Sequence, residues 1–474
     1  ASKWTGGGFG GVWNIQPGAT LEISGGATKV LGGGCTVNNH GAVTWATGLI
    51  QGYGSSTWNN KPGSSFTMTT DGDVFSQYNG NNFLNNEAGA TFAKSAGAPE
   101  SGNYIDEWTV NNAGQISSQQ GTIHFNTTLN LNTGSTFAGA GRLLRNGSTN
   151  LATAISSTGN PELIGTLNGT VASASYSGSQ PLVWSNGWIT GNFTLTAGSV
   201  LDLTTGNTKF LADSSVFTNR GRINWRQGLF QNRGNCTFNN ESGATFDMVT
   251  DGDVFSAYNG NNNFNNKAGA LFLKSGRNGV PEDVSFIDEI VFNNSGTIRS
   301  DNGVIRFHTP MNLNPGGTIS RNGSTANTRI RSTHYFVLTG TTTVSNITLE
   351  CAGDFHGNLT EGSAGNGTIA TTSGGVFEWP IGTAHNTTNI AAGSTFRITG
   401  NDRKHLGGGA VINISGSCTW SENGELMGIG SSTINCLAGS TFTTTGDGEW
   451  INYNGNNQFN VLPRAAFQKS GGTQ

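Results

Sequence analysis

Along this chain, short runs in which apolar and polar residues alternate are broken by Gly and Asn. No stretch sustains the i, i+3, i+4 apolar spacing of a helix. Ala90-Thr91-Phe92, Ala244-Thr245-Phe246 and Gly221-Arg222-Ile223-Asn224-Trp225 are typical. A period of two predicts strands, each only a few residues long. Gly and Asn tolerate left-handed backbone angles, so their clusters predict tight corners between the strands.

The corners recur. An apolar residue, two Asn and then a Gly appear at Val37-Asn38-Asn39-His40-Gly41, Val110-Asn111-Asn112-Ala113-Gly114 and Phe292-Asn293-Asn294-Ser295-Gly296. Phe217-Thr218-Asn219-Arg220-Gly221 keeps one Asn, and Trp58-Asn59-Asn60, Phe238-Asn239-Asn240 and Phe264-Asn265-Asn266 share the first half. Successive copies lie roughly 20 to 28 residues apart, the length of one turn of a β-solenoid. The predicted fold is all-β, a right-handed parallel β-helix (β-solenoid) of about twenty coils, with like Asn stacked as ladders between coils. At about 4.8 Å per coil the expected rod is roughly 100 Å long.

A longer repeat lies over the short one. Trp4 recurs as Trp184 and Trp379, Lys29 as Lys209 and Lys404, Trp45 as Trp225 and Trp420, and Tyr78 as Tyr258 and Tyr453, spaced by 180 and then 195 residues. Thr70-Asp71-Gly72-Asp73-Val74-Phe75 returns as Thr250-Asp251-Gly252-Asp253-Val254-Phe255 and, varied, as Gly446-Asp447-Gly448-Glu449-Trp450. Tandem duplication explains these matches, giving solenoid units over 4–183 and 184–378 and a partial third over 379–474, expected as one continuous rod. The third copy stops at Lys469-Ser470, the counterpart of Lys94-Ser95 and Lys274-Ser275. Either the chain is a piece of a longer protein, or the cut repeat stacks on a neighbour.

Composition narrows the function. Of 474 residues 73 are Gly, and only 11% are charged against roughly 25% in an average domain. A net charge of -4 without a basic run argues against nucleic acid or an anionic membrane as partner. No apolar stretch approaches the roughly 18 to 20 residues that cross a bilayer, and a start at Ala1 is compatible with signal cleavage. The five Cys lack C-x-x-C spacing and read as small buried hydrophobes, with Cys418 and Cys436 the one pair open to oxidation.

Candidate chemistry is sparse. Asp71 with Asp73, and Asp251 with Asp253, offer carboxylates one residue apart across a Gly, a spacing suited to Ca²⁺ or to a plain hydrophilic turn. No other cofactor is expected. Asp106-Glu107 and Asp288-Glu289, each downstream of a Pro-Glu step (Pro99-Glu100, Pro281-Glu282), are paired carboxylates of the kind that cleave glycosides, yet they recur in tandem as framework residues do. Arg220, Arg222 and Arg226 cluster in one copy only, and the seven His show no ligand spacing. Trp4, Trp45, Phe75 and Tyr78 with their copies read as stacked core or wall residues, Tyr78 being the one at a corner near solvent.

The run Trp184, Gly187, Gly191, Ala197-Gly198, Leu201, Lys209, Asn219, Gly221, Trp225, Gly228, Asn239, Gly243-Ala244-Thr245-Phe246, Phe292-Asn293-Asn294 and Gly296 resembles the Gly/Asn-rich repeat region of large secreted or surface bacterial β-solenoid (adhesin-like) proteins. The resemblance implies an extracellular or cell-surface, elongated protein and brings no catalytic residues. The expectation is therefore a structural or adhesive protein, not an enzyme, that associates with copies of itself into a fibre or filament on the bacterial surface or in the matrix. The alternative is an extracellular polysaccharide-binding or polysaccharide-cleaving parallel β-helix protein.

Overall fold

Four-residue strands cannot form an isolated sheet in water, so each must find its hydrogen-bond partners in the next turn of the chain. The computed structural model describes residues 2–98, 101–276, 284–322, 328–357 and 367–473, and it shows this solution throughout. The described residues form 59 strands and no helix, in a parallel β-solenoid of about twenty turns. Two compact units divide the chain, Ala1–Gly228 and Leu229–Gln474.

In each unit one turn contributes three strands, and each strand pairs in parallel with its counterpart one turn away. Three walls result. In the first unit Thr57–Asn60, Phe83–Asn86 and Thr109–Asn112 lie on one wall, Ser65–Met68, Thr91–Lys94 and Gln115–Ser118 on the second, and Gly72–Gln77, Gly102–Ile105 and Thr122–Phe125 on the third. In the second unit Thr237–Asn240, Asn263–Asn266 and Val291–Asn294 form the same kind of row. Alternate residues point inward, so Trp58, Phe66, Phe75, Leu84 and Phe92 are buried while Asn59 and Asn85 face out.

Parallel register places like on like, and the Asn residues use this twice. Outward on the first wall, Asn38, Asn59, Asn85, Asn111, Asn130, Asn150 and Asn168 each donate from Nδ2 to the Oδ1 of the rung before, beginning at Asn14, over 2.7 to 3.0 Å. Inward, Asn39, Asn60 and Asn86 donate the other way, to the rung after, ending at Asn112. The second unit repeats both directions, with Asn239, Asn265, Asn293 and Asn312 outside and Asn240, Asn266 and Asn294 inside.

A glycine that stands two residues after an Asn pair has a separate cause. A Cβ on Gly114 would stand 2.4 Å from the Ala90 carbonyl of the previous turn, and one on Gly41 2.2 Å from the Ala19 carbonyl. The corner is thus closed against any side chain. Neighbouring Gly63 is required for its backbone instead, at φ +82°.

The 180-residue duplication does not close on itself. From Lys29 the chain returns to the same wall at Ile50, Gly72, Gly102, Thr122, Arg142, Asn160, Leu182 and Val200, and then meets Lys209 on the next wall. Lys209 shares its row with Thr166–Gly169 and hence with Thr57–Asn60. In the second unit the interval from Tyr258 to Tyr453 behaves alike: eight returns, at 284, 304, 329, 348, 376, 395, 417 and 441, and then one wall further. Each copy is therefore eight turns and one wall long. Ladders run straight through Trp184 and Trp379, so the sequence copies begin inside the compact units rather than at their borders.

The two ladders predict unequal costs. Asn86 is buried and bonds Asn112 Oδ1 and the Gln115 carbonyl, at 2.8 and 3.0 Å, whereas Asn85 faces out. Urea denaturation is expected to show Asn86→Ala losing about 2–3 kcal/mol, because buried acceptors are stranded, and Asn85→Ala about 1 kcal/mol.

Candidate functional site

The duplicated Asp-Gly-Asp corner is occupied by a lysine from the adjacent turn. Lys94 ends strand Thr91–Lys94 with its side chain fully buried, and its Nζ donates to Asp71 Oδ1 at 2.6 Å and to Asn103 Oδ1 at 2.8 Å. Asp71 Oδ2 accepts from Ser101 Oγ and from the Ala98 amide. Burial pushes the Asp71 carboxyl up, and these hydrogen bonds, led by Lys94, outweigh it and hold the group below its ordinary value. The other copies repeat the arrangement, with Lys274 on Asp251 and Lys469 on Asp447 at 2.8 Å. Asp73 and Asp253 stand apart from the pair, pointing to solvent. The two carboxylates proposed as a cation site thus face different surroundings, and the inner one carries an ammonium.

The Tyr-Asn-Gly-Asn-Asn run is a clasp between turns. Asn79, Asn259 and Asn454 accept through Oδ1 from the amides of Gly54, Gly234 and Gly430 at 2.8, 2.9 and 2.7 Å. Asn82, Asn262 and Asn457 accept from the amides of Ser56, Cys236 and Ser432, each at 2.8 Å. Ser55, Asn235 and Ser431, all at positive φ, accept from the amides of Asn81, Asn261 and Asn456. The tyrosines face outward, 66 to 68% exposed. Tyr78 stacks on Tyr53 at 4.4 Å, and Tyr258 lies under the Arg233 guanidinium at 4.6 Å.

The second acidic pair divides its labour in the same way. Glu107 and Glu289 accept from the amides of Gln77 and Ala257 on the preceding turn, while Asp106 binds Asn126 Nδ2 and Asp288 binds His308 Nδ1. Their upstream partners Pro99, Glu100, Pro281 and Glu282 lie outside the described residues. In the arginine cluster Arg226 pairs with Asp202, Arg222 bonds Asn224, and Asn224 in turn bonds Asp202. Arg145 is turned into the core over Phe137, 6.0 Å from its ring centre. Trp4, Trp45 and Phe75 are core residues, and all five Cys are buried thiols outside any disulfide, Cys418 and Cys436 among them.

Three lysines have a role that sequence alignment located without explaining. Lys29, Lys209 and Lys404 are fully buried, and their ammonium groups bind backbone carbonyls at a corner: Lys209 Nζ donates to the carbonyls of Thr205, Asn207 and Gln227 at 2.7, 2.9 and 3.0 Å. Burial pulls the Lys209 ammonium down to about 8 from its usual 10.5. The available signal was a lysine held constant at one position in all three copies. Among the described residues, no group of three or more His, Cys, Asp or Glu side chains converges where a metal ion would fit.

No family model, curated protein or solved structure matches this chain. Its own three copies are therefore the comparison, and in them the recurring polar groups hold turns together.

Two outcomes follow from these corners. Chelation with EGTA is expected to leave the thermal midpoint unchanged, while Lys94→Met lowers stability by roughly 2 kcal/mol by stranding Asp71; a midpoint that falls on chelation would restore the cation reading. For Lys209, the folded value of about 8 lies below the unfolded 10.5, so the unfolded state holds more protons between them and stability rises with pH across that window. Urea midpoints measured from pH 7.5 to 10.5 are expected to climb more steeply in the native protein than in Lys209→Met.

Proposed function

We propose that this protein is an extracellular structural or adhesive β-solenoid, displayed on a bacterial surface or in its matrix, that associates with copies of itself into filaments. The observation that carries the reading is the employment of the duplicated residues. In each copy the clasp Asn residues and the inner Asp of the acidic corner with its Lys are engaged in joining one turn to the next, the pattern of a framework selected for length and rigidity.

Surface properties support association. A charged fraction of 11% leaves little repulsion between neighbouring chains. The clasp tyrosines supply amphipathic knobs of the type enriched in protein contacts, and Tyr258 and Tyr453 stand on successive walls of their unit. Knobs on successive walls bring neighbours to more than one side, which favours bundles over flat ribbons.

Electron microscopy of the purified protein over a range of concentrations tests this. Filaments or bundles are expected, lost in the triple variant Tyr78→Ser, Tyr258→Ser, Tyr453→Ser, whose circular dichroism stays that of the native chain. Separate particles of single-chain mass at every concentration would overturn the reading.

A further inference from the structure

Three corners of the chain hold the same ion pair, Lys94 with Asp71, Lys274 with Asp251 and Lys469 with Asp447. The first differs from the second in one neighbour. Strand Gly102–Ile105 places Asn103 opposite Gly72, and the corresponding strand Val284–Ile287 places Ser285 opposite Gly252. Asn103 is fully buried, and its Oδ1 accepts from Lys94 Nζ at 2.8 Å. In the second copy Lys274 Nζ donates to the Gly276 carbonyl at 2.9 Å, and Ser285 Oγ donates to the Thr250 carbonyl at 3.1 Å. A serine therefore suffices to fold this corner, and the carboxamide at 103 is an addition to the framework.

The addition completes a reactive set. An amine, a carboxyl group and a carboxamide meet at one atom, for Lys94 Nζ lies 2.6 Å from Asp71 Oδ1 and 2.8 Å from Asn103 Oδ1. With a C–O bond of about 1.2 Å, Nζ stands within about 4 Å of the carboxamide carbon Cγ. The lysine is walled in: a Cβ on Gly97 would come 2.6 Å from Nζ, and one on Gly121 2.8 Å from Cε. Asn103 is held as well, because its Nδ2 donates to the Gly72 carbonyl at 3.1 Å. Two groups confined in this way react as one molecule rather than as two, which removes much of the barrier to exchanging one amide nitrogen for another. Asp71, 28% exposed, opens the site to solvent and gives a small product a way out.

We propose that Lys94 and Asn103 join in an intramolecular amide, with Asp71 as the acid and base of the step. The ammonium proton passes along the 2.6 Å hydrogen bond to Asp71, which frees the lone pair of Nζ for attack on Asn103 Cγ. The Nζ–Cγ bond forms and the Cγ–Nδ2 bond breaks. Asp71 hands its proton to Nδ2 and takes one from Nζ, and Nδ2 departs as ammonia, which carries that last proton away as ammonium. One ammonium and one carboxamide thus become one secondary amide and one ammonium ion, with nothing oxidised or reduced and no co-reactant. Ser285 offers Lys274 no leaving group of this kind. The bond closes the chain from 94 to 103 into a ring within one unit, so it stands whether or not the protein associates with itself.

The test is mass spectrometry of the full chain, purified, denatured and digested with a glutamate-specific protease. Cleavage after Glu87, Glu100 and Glu107 places Lys94 in 88–100 and Asn103 in 101–107. Expected from the native protein is one joined species, about 17 Da lighter than the two peptides together because ammonia is lost, with fragmentation placing the junction at Lys94 and Asn103. Asn103→Ser, which installs the residue the second copy already accommodates, is expected to give two separate peptides. Asp71→Asn is expected to lower the joined fraction tenfold or more, and should that variant lack the native circular dichroism, Asn103→Ser carries the test. Separate peptides from the native protein, or joined peptides from Asn103→Ser, would overturn the proposal; a folded Asp71→Asn that joins as fully as the native chain would overturn the part given to Asp71.

Discussion

Everything in this structure depends on stacking in parallel register at one strand spacing. Each short strand satisfies its backbone only through the turns before and after it, and the same register places each side chain beside its counterpart. A turn therefore does not choose its residues freely: along the ladders Asn meets Asn, core Phe such as Phe66 and Phe92 meet in register, and a corner must leave room for the carbonyl of the previous turn. The Asn ladders and the glycine corners are two answers to that one constraint, the first making identity favourable and the second preventing a clash.

Duplication under this constraint has a consequence for geometry. A copy of eight turns and one wall moves its motifs to the next wall, and the second interval does the same although it is 15 residues longer. Part of the extra length lies between Ser320 and Arg329, where the first copy runs from Ala138 to Arg142, and the number of turns is unchanged. A motif survives transfer because the walls offer the same environment: a strand with one face in the core, a corner on either side and a like strand on the next turn. Lys29 and Lys209 illustrate it, each reaching backbone carbonyls from a different wall of the first unit.

Much of the fold was legible from local pattern. Alternation over four residues, Gly and Asn at fixed offsets and a spacing near one turn are short-range signals, and they located the strands, the corners and the ladders. The partners of ionisable groups were not legible in the same way. Asp71 reads as a companion of Asp73 because they are two residues apart, yet its true partner is Lys94, 23 residues on. In a solenoid the nearest neighbour of a side chain is one turn away, so sequence adjacency misleads about polar sites while periodicity informs about apolar ones. The aligned lysines show the remedy, since the spacing between copies marked them even though no local motif explained a buried ammonium.

The same logic ranks the surface. A polar residue that recurs in every copy has its cause in the framework, as the Asn79, Asn259 and Asn454 clasp shows. One that departs from its counterpart while the surrounding strands keep their register has no such cause. Arg306 and Arg331 depart in this sense, replacing His124 and Leu144 without disturbing the glutamate beneath them. Both are nonetheless held by the chain itself, Arg331 by Glu350 on the next turn and Arg306 by the Phe286 ring on the turn before.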